Sequence, residues 1–201
     1  MRSFVPMLLA LLSCTPRLLA DEPGRVMRDV SYASPDDRAA SLDIYAPANA
    51  RDLPVVIWIH GGGWRLGDKA QVQPTRAASN ARGFVSVSIN YPLLASATYR
   101  DQAGAVAKAI RWVRDHAGDF GGSSDTIFLM GHSAGAHLAA LVGTDGRYLA
   151  AEDLKLSDLG GIVLLDGAAY DIPRQIEIAP LPRMREMYLP VFGHDPTLQR
   201  G

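Results

Sequence analysis

TIFLMGHSAGAHLAALVG, residues 126–143, decides the fold of this chain. Its first part is a run of apolar and β-branched residues, typical of a strand buried inside a sheet. Its last part is rich in alanine and leucine, which favours a helix. The pentapeptide GHSAG at 131–135 joins the two, so the chain must turn from strand to helix within a few residues. Such a turn strains the central residue, Ser133, and lifts its hydroxyl clear of the sheet.

The residues around Ser133 suit a nucleophile. Gly131 and Gly135 leave space where side chains would meet across the turn. The helix that follows presents free N–H groups to any negative charge that develops beside it. A turn of small residues without chemistry is the plain alternative, but the strand before the motif and the helix after it favour a catalytic role. We therefore predict that Ser133 is a nucleophile.

A second motif, HGGGW at 60–64, directly follows another buried strand, PVVIWI at 54–59. Acyl transfer passes through a tetrahedral oxyanion that backbone N–H groups must stabilise, and glycine lets the backbone come close to it. We predict that the N–H groups of Gly62, Gly63 and Ala134 form this oxyanion hole. The alternative is a loop that is only flexible, as any run of three glycines can be.

Two side chains of the HGGGW motif need an interpretation of their own. His60 opens the loop, and we expect it to form a hydrogen bond that holds the loop in shape. Trp64 has two possible roles, since an indole can line a substrate pocket or pack beneath the loop. The sequence leaves these two roles of Trp64 open.

The remaining chain alternates between predicted strands and predicted helices. The strands are expected at 25–33, 41–47, 53–60, 84–90, 126–131 and 160–167, and the helices at 70–82, 99–120 and 133–143. This order predicts an α/β fold with a mostly parallel sheet covered by helices on both faces. The tail at 171–201 carries five prolines and predicts short helical pieces and loops.

Residues 1–20, MRSFVPMLLALLSCTPRLLA, differ from the rest of the chain. An early arginine followed by an apolar run predicts a secretory signal peptide, and hence a secreted or periplasmic protein. Two alternatives stay open: Cys14 as the lipid-bearing residue of a lipoprotein signal, and an N-terminal helix that is retained. We expect no membrane span, because the apolar run is short and is interrupted by prolines.

Composition excludes several classes of protein. The 201 residues are 48% hydrophobic and 20% charged, as in soluble globular domains. A net charge of −1 offers no field that would attract nucleic acid. The single cysteine, Cys14, excludes a disulfide framework. His132 and His137 do not share a helical face, so we expect no metal site.

Four ordered motifs resemble the α/β-hydrolase superfamily: HGGGW, INYPL at 89–93, DFGG at 119–122 and GHSAG. The chain is most similar to the bacterial carboxylesterases and lipases of the hormone-sensitive-lipase-like and feruloyl-esterase-like kind. The resemblance covers about 25–201 and implies a three-layer fold with eight strands, a Ser–Asp–His triad and ester hydrolysis without a cofactor. It implies substrates that are small-molecule esters or esters carried by polysaccharides.

The same resemblance implies roles for individual residues. Ser133 matches the nucleophile of the superfamily, and Gly62, Gly63 and Ala134 match its oxyanion donors. The acid and the histidine follow the seventh and eighth strands in this superfamily. We count six of the eight strands in the chain, so these two positions have no counterpart.

Two residues of the tail stand in the right order to replace the missing pair. Asp171 and His194 are therefore candidates for the acid and the histidine of a triad. The interpretation that we prefer places 171–201 in a cap or loop over the site, with His194 an ordinary polar residue. Residues 21–201 would then form an incomplete α/β-hydrolase domain, a fragment whose last strand has an uncovered apolar edge.

The sequence thus predicts a serine hydrolase that cleaves carboxylic esters through an acyl-enzyme intermediate. The same machinery also cleaves amides, so an amidase, a formamidase or an exopeptidase is one alternative. A catalytically inactive binding module with the same fold is another. The natural substrate and the oligomeric state stay open.

Overall fold

The computed structural model describes residues 24–34, 37–167 and 170–195. The predicted signal peptide and Cys14 lie outside these residues. The strands are β1 Arg25–Ser31, β2 Ser41–Ala46, β3 Leu53–Ile59, β4 Val85–Ile89, β5 Gly122–His132 and β6 Gly161–Leu165. The helices are α1 Gln73–Asn80, α2 Tyr99–His116, α3 Ala134–Thr144, α4 Gly146–Ala150, α5 Ile172–Ile178 and α6 Pro182–Phe192.

The strands of the described ranges form one six-stranded sheet in the order β1-β2-β4-β3-β5-β6. β1 pairs with β2, and β2 with β4, in antiparallel fashion, whereas β4, β3, β5 and β6 run parallel. The predicted α/β fold with a mostly parallel sheet is therefore confirmed. Ile59 at the end of β3 lies opposite Gly131, and His132 lies opposite Leu165. The HGGGW motif, the GHSAG motif and the end of β6 consequently meet at the carboxyl ends of the parallel strands.

Burial explains why β3 is a continuous apolar run, since its residues 55–59 are all buried. Every residue of β2 and β4 is buried, as expected for strands covered on both faces. Helix α2 turns its predicted face inward, so that Ala103, Val106, Ala107, Ile110 and Val113 are all buried.

A capping box formed by Thr98 and Asp101 marks the start of helix α2. The Thr98 hydroxyl accepts a hydrogen bond from the N–H of Asp101 at 3.2 Å, and the Asp101 carboxylate accepts one from the N–H of Thr98 at 2.8 Å. This reciprocal pair satisfies two N–H groups that the first turn of a helix leaves without partners.

Three predicted elements differ from the structure by three or more residues at one end, and the others by one or two residues. The helix predicted at 70–82 spans only Gln73–Asn80, and the one predicted at 99–120 becomes a 3₁₀ turn after His116. β5 begins at Gly122 rather than at 126, because Gly121 takes up a left-handed conformation with φ 78° and turns the chain straight into the sheet. The sequence did not predict the five-residue helix α4.

The tail forms two helices, α5 and α6, where short helical pieces and loops are predicted. Ile172 and Ile176 of α5, and Tyr188, Val191 and Phe192 of α6, are buried against the rest of the domain. Helix α6 continues through Pro190. The role of these helices as a cap stays a prediction.

β6 is an edge strand of the described sheet. Val163, Leu164 and Leu165 are 39, 37 and 39% exposed, so the strand presents the apolar edge that the sequence predicts. None of the helices among the described residues combines the length and the apolar character needed to cross a bilayer.

Candidate active site

Ser133 occupies the corner between the end of β5 and the start of α3. Its backbone angles are φ 53° and ψ −116°, a conformation that a residue with a side chain adopts at a cost of about 1–3 kcal/mol. The N–H of Ser133 donates a hydrogen bond to the carbonyl oxygen of Leu165 at 2.9 Å. The carbonyl oxygen of Ser133 accepts one from the N–H of His137 at 3.1 Å. β6 and α3 therefore hold the corner from both sides, and the side chain remains partly exposed.

The glycines of the GHSAG motif are required by close backbone contacts. A Cβ on Gly131 would lie 2.2 Å from the carbonyl oxygen of Gly135. A Cβ on Gly135 would lie 2.1 Å from the carbonyl oxygen of Ile59, at the end of the neighbouring strand β3. Real Cβ atoms do not come this close to backbone atoms, so only glycine fits both positions.

The segment 60–69, which we call the glycine loop, leaves β3 and passes directly beside the corner. A Cβ on Gly61 would lie 3.2 Å from the Cβ of Ser133. Gly62 and Gly63 have φ values of 124° and 59°, which glycine adopts without strain. The carbonyl oxygen of Gly62 accepts hydrogen bonds from the two N–H groups that close the turn, those of residues 65 and 66, at 3.2 and 3.0 Å. The fold thus brings the glycine loop to Ser133, and the oxyanion roles of Gly62, Gly63 and Ala134 remain predictions.

His60 fixes the start of the glycine loop. Its Nδ1 lies 2.8 Å from the carbonyl oxygen of Gly61, so the neutral imidazole donates from Nδ1. Its carbonyl oxygen accepts a hydrogen bond from the Tyr91 hydroxyl at 2.9 Å, and the two rings stack at 4.4 Å. Burial lowers the pKa of His60, which favours the neutral form. The expected hydrogen bond of His60 within the loop is present.

Trp64 packs inside the protein and does not line an open pocket. Its side chain is 2% exposed and meets the rings of Phe192, His137 and Tyr188 edge-on at 5.1, 5.4 and 6.2 Å. The indole N–H donates to Nδ1 of His137 at 3.3 Å. Of its two predicted roles, the structure supports packing beneath the loop, and the partners of Trp64 come largely from helix α6.

His137 is a buried histidine that the sequence gives no role. Its Nδ1 accepts from Trp64, so its proton is on Nε2. The ring is surrounded by aromatic side chains, and burial lowers its pKa from 6.5 to about 4. A histidine that is neutral at pH 7 and bonded to tryptophan is a structural element of the aromatic cluster.

The pKa of His137 predicts an acid-sensitive stability. The unfolded chain binds a proton at this residue below pH 6.5, whereas the folded chain binds it only near pH 4. Stability should be fully present above pH 6.5 and should fall by about 3 kcal/mol as the pH drops toward 4. The His137→Gln variant, which does not titrate, should lose this part of the slope while the part due to His60 remains. Urea unfolding of both proteins at pH 7, 5 and 4 measures the difference, and equal slopes would contradict the prediction.

The two triad candidates lie in the tail, and no hydrogen bond or ion pair among the described residues joins them to Ser133. The Asp171 carboxylate accepts a hydrogen bond from the N–H of Arg174 at 3.1 Å and caps the start of α5. His194 is exposed and follows α6. An aspartate that precedes a short helix is a common cap, which accounts for the position of Asp171 without chemistry. The triad of Ser133, Asp171 and His194 therefore stays a prediction.

A second pair of side chains flanks Ser133. Nε2 of His132 lies 4.0 Å from a carboxylate oxygen of Asp166, and the two side chains are 49 and 93% exposed. The parallel pairing of β5 with β6 brings these residues together, since His132 lies opposite Leu165. Nδ1 of His132 also borders Gly61, where a Cβ would approach it to 2.9 Å. An exposed pair of this kind adds little stability, and the sequence did not predict it.

Met187 of helix α6 lies beside the glycine loop. A Cβ on Gly63 would lie 3.5 Å from the sulfur of Met187. The aromatic contacts of Trp64 with Tyr188 and Phe192 hold α6 in this place. No pattern in the sequence predicts this contact, because the two segments are far apart along the chain. Helix α6 thus borders the loop that carries the predicted oxyanion donors.

The sheet order, the strained corner and the glycine loop define an α/β-hydrolase fold. Residues 42–157 match the BD-FAE family, and the chain belongs to this family. The match includes both the glycine loop and the corner at Ser133.

Proteins similar in sequence carry the names of esterases. The chain is 39% identical to esterase LipQ of Mycobacterium tuberculosis over 117 residues, which is 56% of this chain and 28% of LipQ. It is 34% identical over 130 residues to carboxylesterase NlhH of the same organism, covering 64% of this chain and 40% of NlhH. A probable isoprenylcysteine α-carbonyl methylesterase of Arabidopsis thaliana, ICMEL1, is 34% identical over 57% of this chain and 24% of its own. The chain therefore spans less than half the length of these relatives.

Solved structures show the same fold. Esterase B from Lactobacillus rhamnosis, in an inhibited form, superimposes with a TM-score of 0.73 and 25% identity over 89% of this chain and 60% of its own. A truncated carbohydrate esterase from gut microbiota gives a TM-score of 0.57 and 31% identity over 62% of this chain and 45% of its own.

Proposed function

We propose that the protein is a serine hydrolase that cleaves carboxylic esters through an acyl-enzyme intermediate on Ser133. The observation that carries this proposal is the strained, partly exposed Ser133 at a strand-to-helix corner with a glycine loop packed beside it. The esterase names of the relatives support the same reaction.

The reaction follows from the residues at the corner. The Ser133 hydroxyl oxygen attacks the ester carbonyl carbon, and the resulting oxyanion is held by the N–H groups of Gly62, Gly63 and Ala134. The tetrahedral intermediate collapses, the alcohol leaves with a proton, and the acyl group remains on Ser133. Water then attacks the acyl-enzyme through a second oxyanion and releases the carboxylic acid.

A general base has to take the proton from Ser133 and return it to the leaving alcohol. Among the described residues, no side chain forms a hydrogen bond with the Ser133 hydroxyl. This observation favours a second candidate function, that of a hydrolase-fold binding module without catalysis. An amidase of the same superfamily is a third, because the same steps cleave an amide bond.

The surroundings of Ser133 bear on the class of substrate. Trp64 is buried, which leaves the exposed side of the glycine loop and Met187 to face a substrate. We propose small esters, or short ester groups carried by a polysaccharide, as the substrate class. The carbohydrate esterase among the similar structures supports the second of these.

A series of p-nitrophenyl esters, run beside matching p-nitroanilides, tests the reaction type. We expect an initial burst of up to one p-nitrophenolate per protein molecule, since the acyl-enzyme forms before water releases it. Ester turnover above that of the anilides supports an esterase, whereas faster release from the anilides supports an amidase. A folded protein with neither burst nor turnover contradicts the proposal and supports the binding module.

A further inference from the structure

A buried ion pair lies at the far end of the glycine loop. The Lys69 ammonium donates to Asp43 at 2.6 Å and to Asp29 at 2.7 Å. The side chains of Lys69 and Asp43 are only 8 and 2% exposed, whereas that of Asp29 is 68% exposed. Burial alone lowers the pKa of Lys69, but its hydrogen bonds to the two carboxylates outweigh burial and raise it. Lys69 therefore remains charged inside the protein.

Asp43 is a rigid partner for Lys69. One of its carboxylate oxygens accepts from Lys69 and from the N–H of Asp29, the latter at 2.9 Å. The other accepts from the Tyr45 hydroxyl at 3.1 Å and from Arg28 at 3.4 Å. Four donors thus satisfy a carboxylate in the middle of β2, a strand that is paired on both sides. Such a group has little freedom to move.

The backbone of Lys69 is held as well. Its N–H donates to the Asn90 side chain at 2.7 Å, and its carbonyl oxygen accepts from the Ser88 hydroxyl at 2.7 Å. Ser88 belongs to β4, and Asn90 follows this strand. Lys69 is therefore fixed by β2 through its side chain and by β4 through its backbone.

Between its two ends the glycine loop is held mainly at Trp64, whose indole packs against Tyr188 and Phe192. Its start is fixed at His60, and the carbonyl oxygen of Trp64 accepts from Gln102 and from the N–H of Leu94, both at 2.9 Å. Between Trp64 and Lys69 the chain runs past Leu66, which is 71% exposed. The N–H of Leu66 donates to the carbonyl oxygen of Gly62 at 3.0 Å, so a shift of Lys69 would reach the turn at Gly62 through residues 66–68 and this hydrogen bond.

Stability alone gives a weak reason for such a pair. Apolar residues of similar size often stabilise a protein as well as a buried ion pair does, because both charges lose their hydration. The pair differs from apolar packing in its directional bonds, which fix one position of the chain. We infer that Lys69, through its buried pair with Asp43, is a positioning residue that holds the glycine loop and its predicted oxyanion donors beside Ser133. This inference rests on the proposed function for its catalytic consequence.

Hydrogen–deuterium exchange on the full chain tests the inference without any need for activity. The Lys69→Met variant should raise the exchange of amides in the loop at 60–69 about 10-fold or more, because the loop opens more readily, and should leave β3 and β5 unchanged. The Arg111→Met variant is the matched control. It removes an exposed ion pair on the surface of α2, in which the Arg111 guanidinium lies 2.9 Å from the Asp115 carboxylate, and it should not affect the loop.

The rate at which a fluorophosphonate probe labels Ser133 gives the second readout. Lys69→Met should lower this rate about 10-fold or more, through displaced oxyanion donors, when the rate is measured under conditions in which the variant and the control are both fully folded. If the unchanged protein is not labelled at all, the proposed hydrolase function fails, while the exchange result still decides the role of Lys69.

Three results would overturn the inference. Unchanged exchange in the loop is one, and faster exchange spread evenly over the sheet is another, since the pair would then only stabilise the fold. If Lys69→Met does not fold, the double variant Asp43→Asn, Lys69→Met replaces it, because no charge is then left alone in the interior. A double variant that also fails to fold is the third contrary result.

Discussion

Replacing Ser133 with alanine should abolish covalent labelling by a fluorophosphonate probe and remove the p-nitrophenolate burst. The probe forms its bond to the serine oxygen, which alanine lacks, so no slower reaction at the same atom can take its place. An enzyme that loses a member of its triad keeps at most a rate about 10³–10⁴-fold above water, from the oxyanion hole and substrate binding. Mass spectrometry of the labelled peptide measures the result directly.

The fold should survive this substitution. Among the described residues the Ser133 hydroxyl has no hydrogen-bond partner, so its loss should change the free energy of unfolding by less than about 0.5 kcal/mol. Ser124→Ala, an exposed serine on the same strand β5, is the matched control and should keep full labelling. Equal labelling of the Ser133→Ala variant and the unchanged protein would rule out Ser133 as the nucleophile.

Replacing Gly135 with alanine should produce the second largest effect. The added Cβ would lie 2.1 Å from the carbonyl oxygen of Ile59 and 2.6 Å from that of His60, so β3 and the corner must move apart. A displacement of about 1 Å between reacting groups lowers a rate about 10²-fold, and we expect this loss in the labelling of Ser133. Overpacking of this kind should also destabilise the fold by about 1–3 kcal/mol.

Gly104→Ala is the control for the added methyl group. Gly104 lies in helix α2, and a Cβ there would meet nothing within 4 Å. Alanine should therefore stabilise the helix by up to about 1 kcal/mol and leave the labelling rate unchanged. Labelling kinetics and urea unfolding of the two variants separate the cases. If Gly135→Ala reacts as fast as Gly104→Ala, the close contact at the corner is not required.

The sequence predicted the strands and the corner because each depends on a local pattern. Continuous β-branched runs identify strands that are buried on both faces, and GHSAG between a strand and a helix identifies the turn. The bounds of β5 were wrong because a left-handed Gly121, a property of one backbone angle, decides where the strand begins.

Contacts between distant segments could not be predicted in this way. Asp43 lies in an apolar strand, where a single charge is expected to face water, and its partner Lys69 belongs to a loop 26 positions further on. The role of Trp64 depends on Tyr188 and Phe192, whose helix lies in the proline-rich tail. The pair of His132 with Asp166 needs the register between β5 and β6, which no single stretch of sequence contains.

The hydrogen bond from the N–H of Ser133 to the carbonyl oxygen of Leu165 limits how short a segment of the chain can be and still hold Ser133 in its observed conformation. The stretch that carries the family signature, 42–157, stops before the acceptor of this bond. A match to the family over 42–157 therefore does not include every residue that holds the Ser133 corner in place. An excised signature region would contain the serine but lack the neighbouring strand that holds its backbone in place.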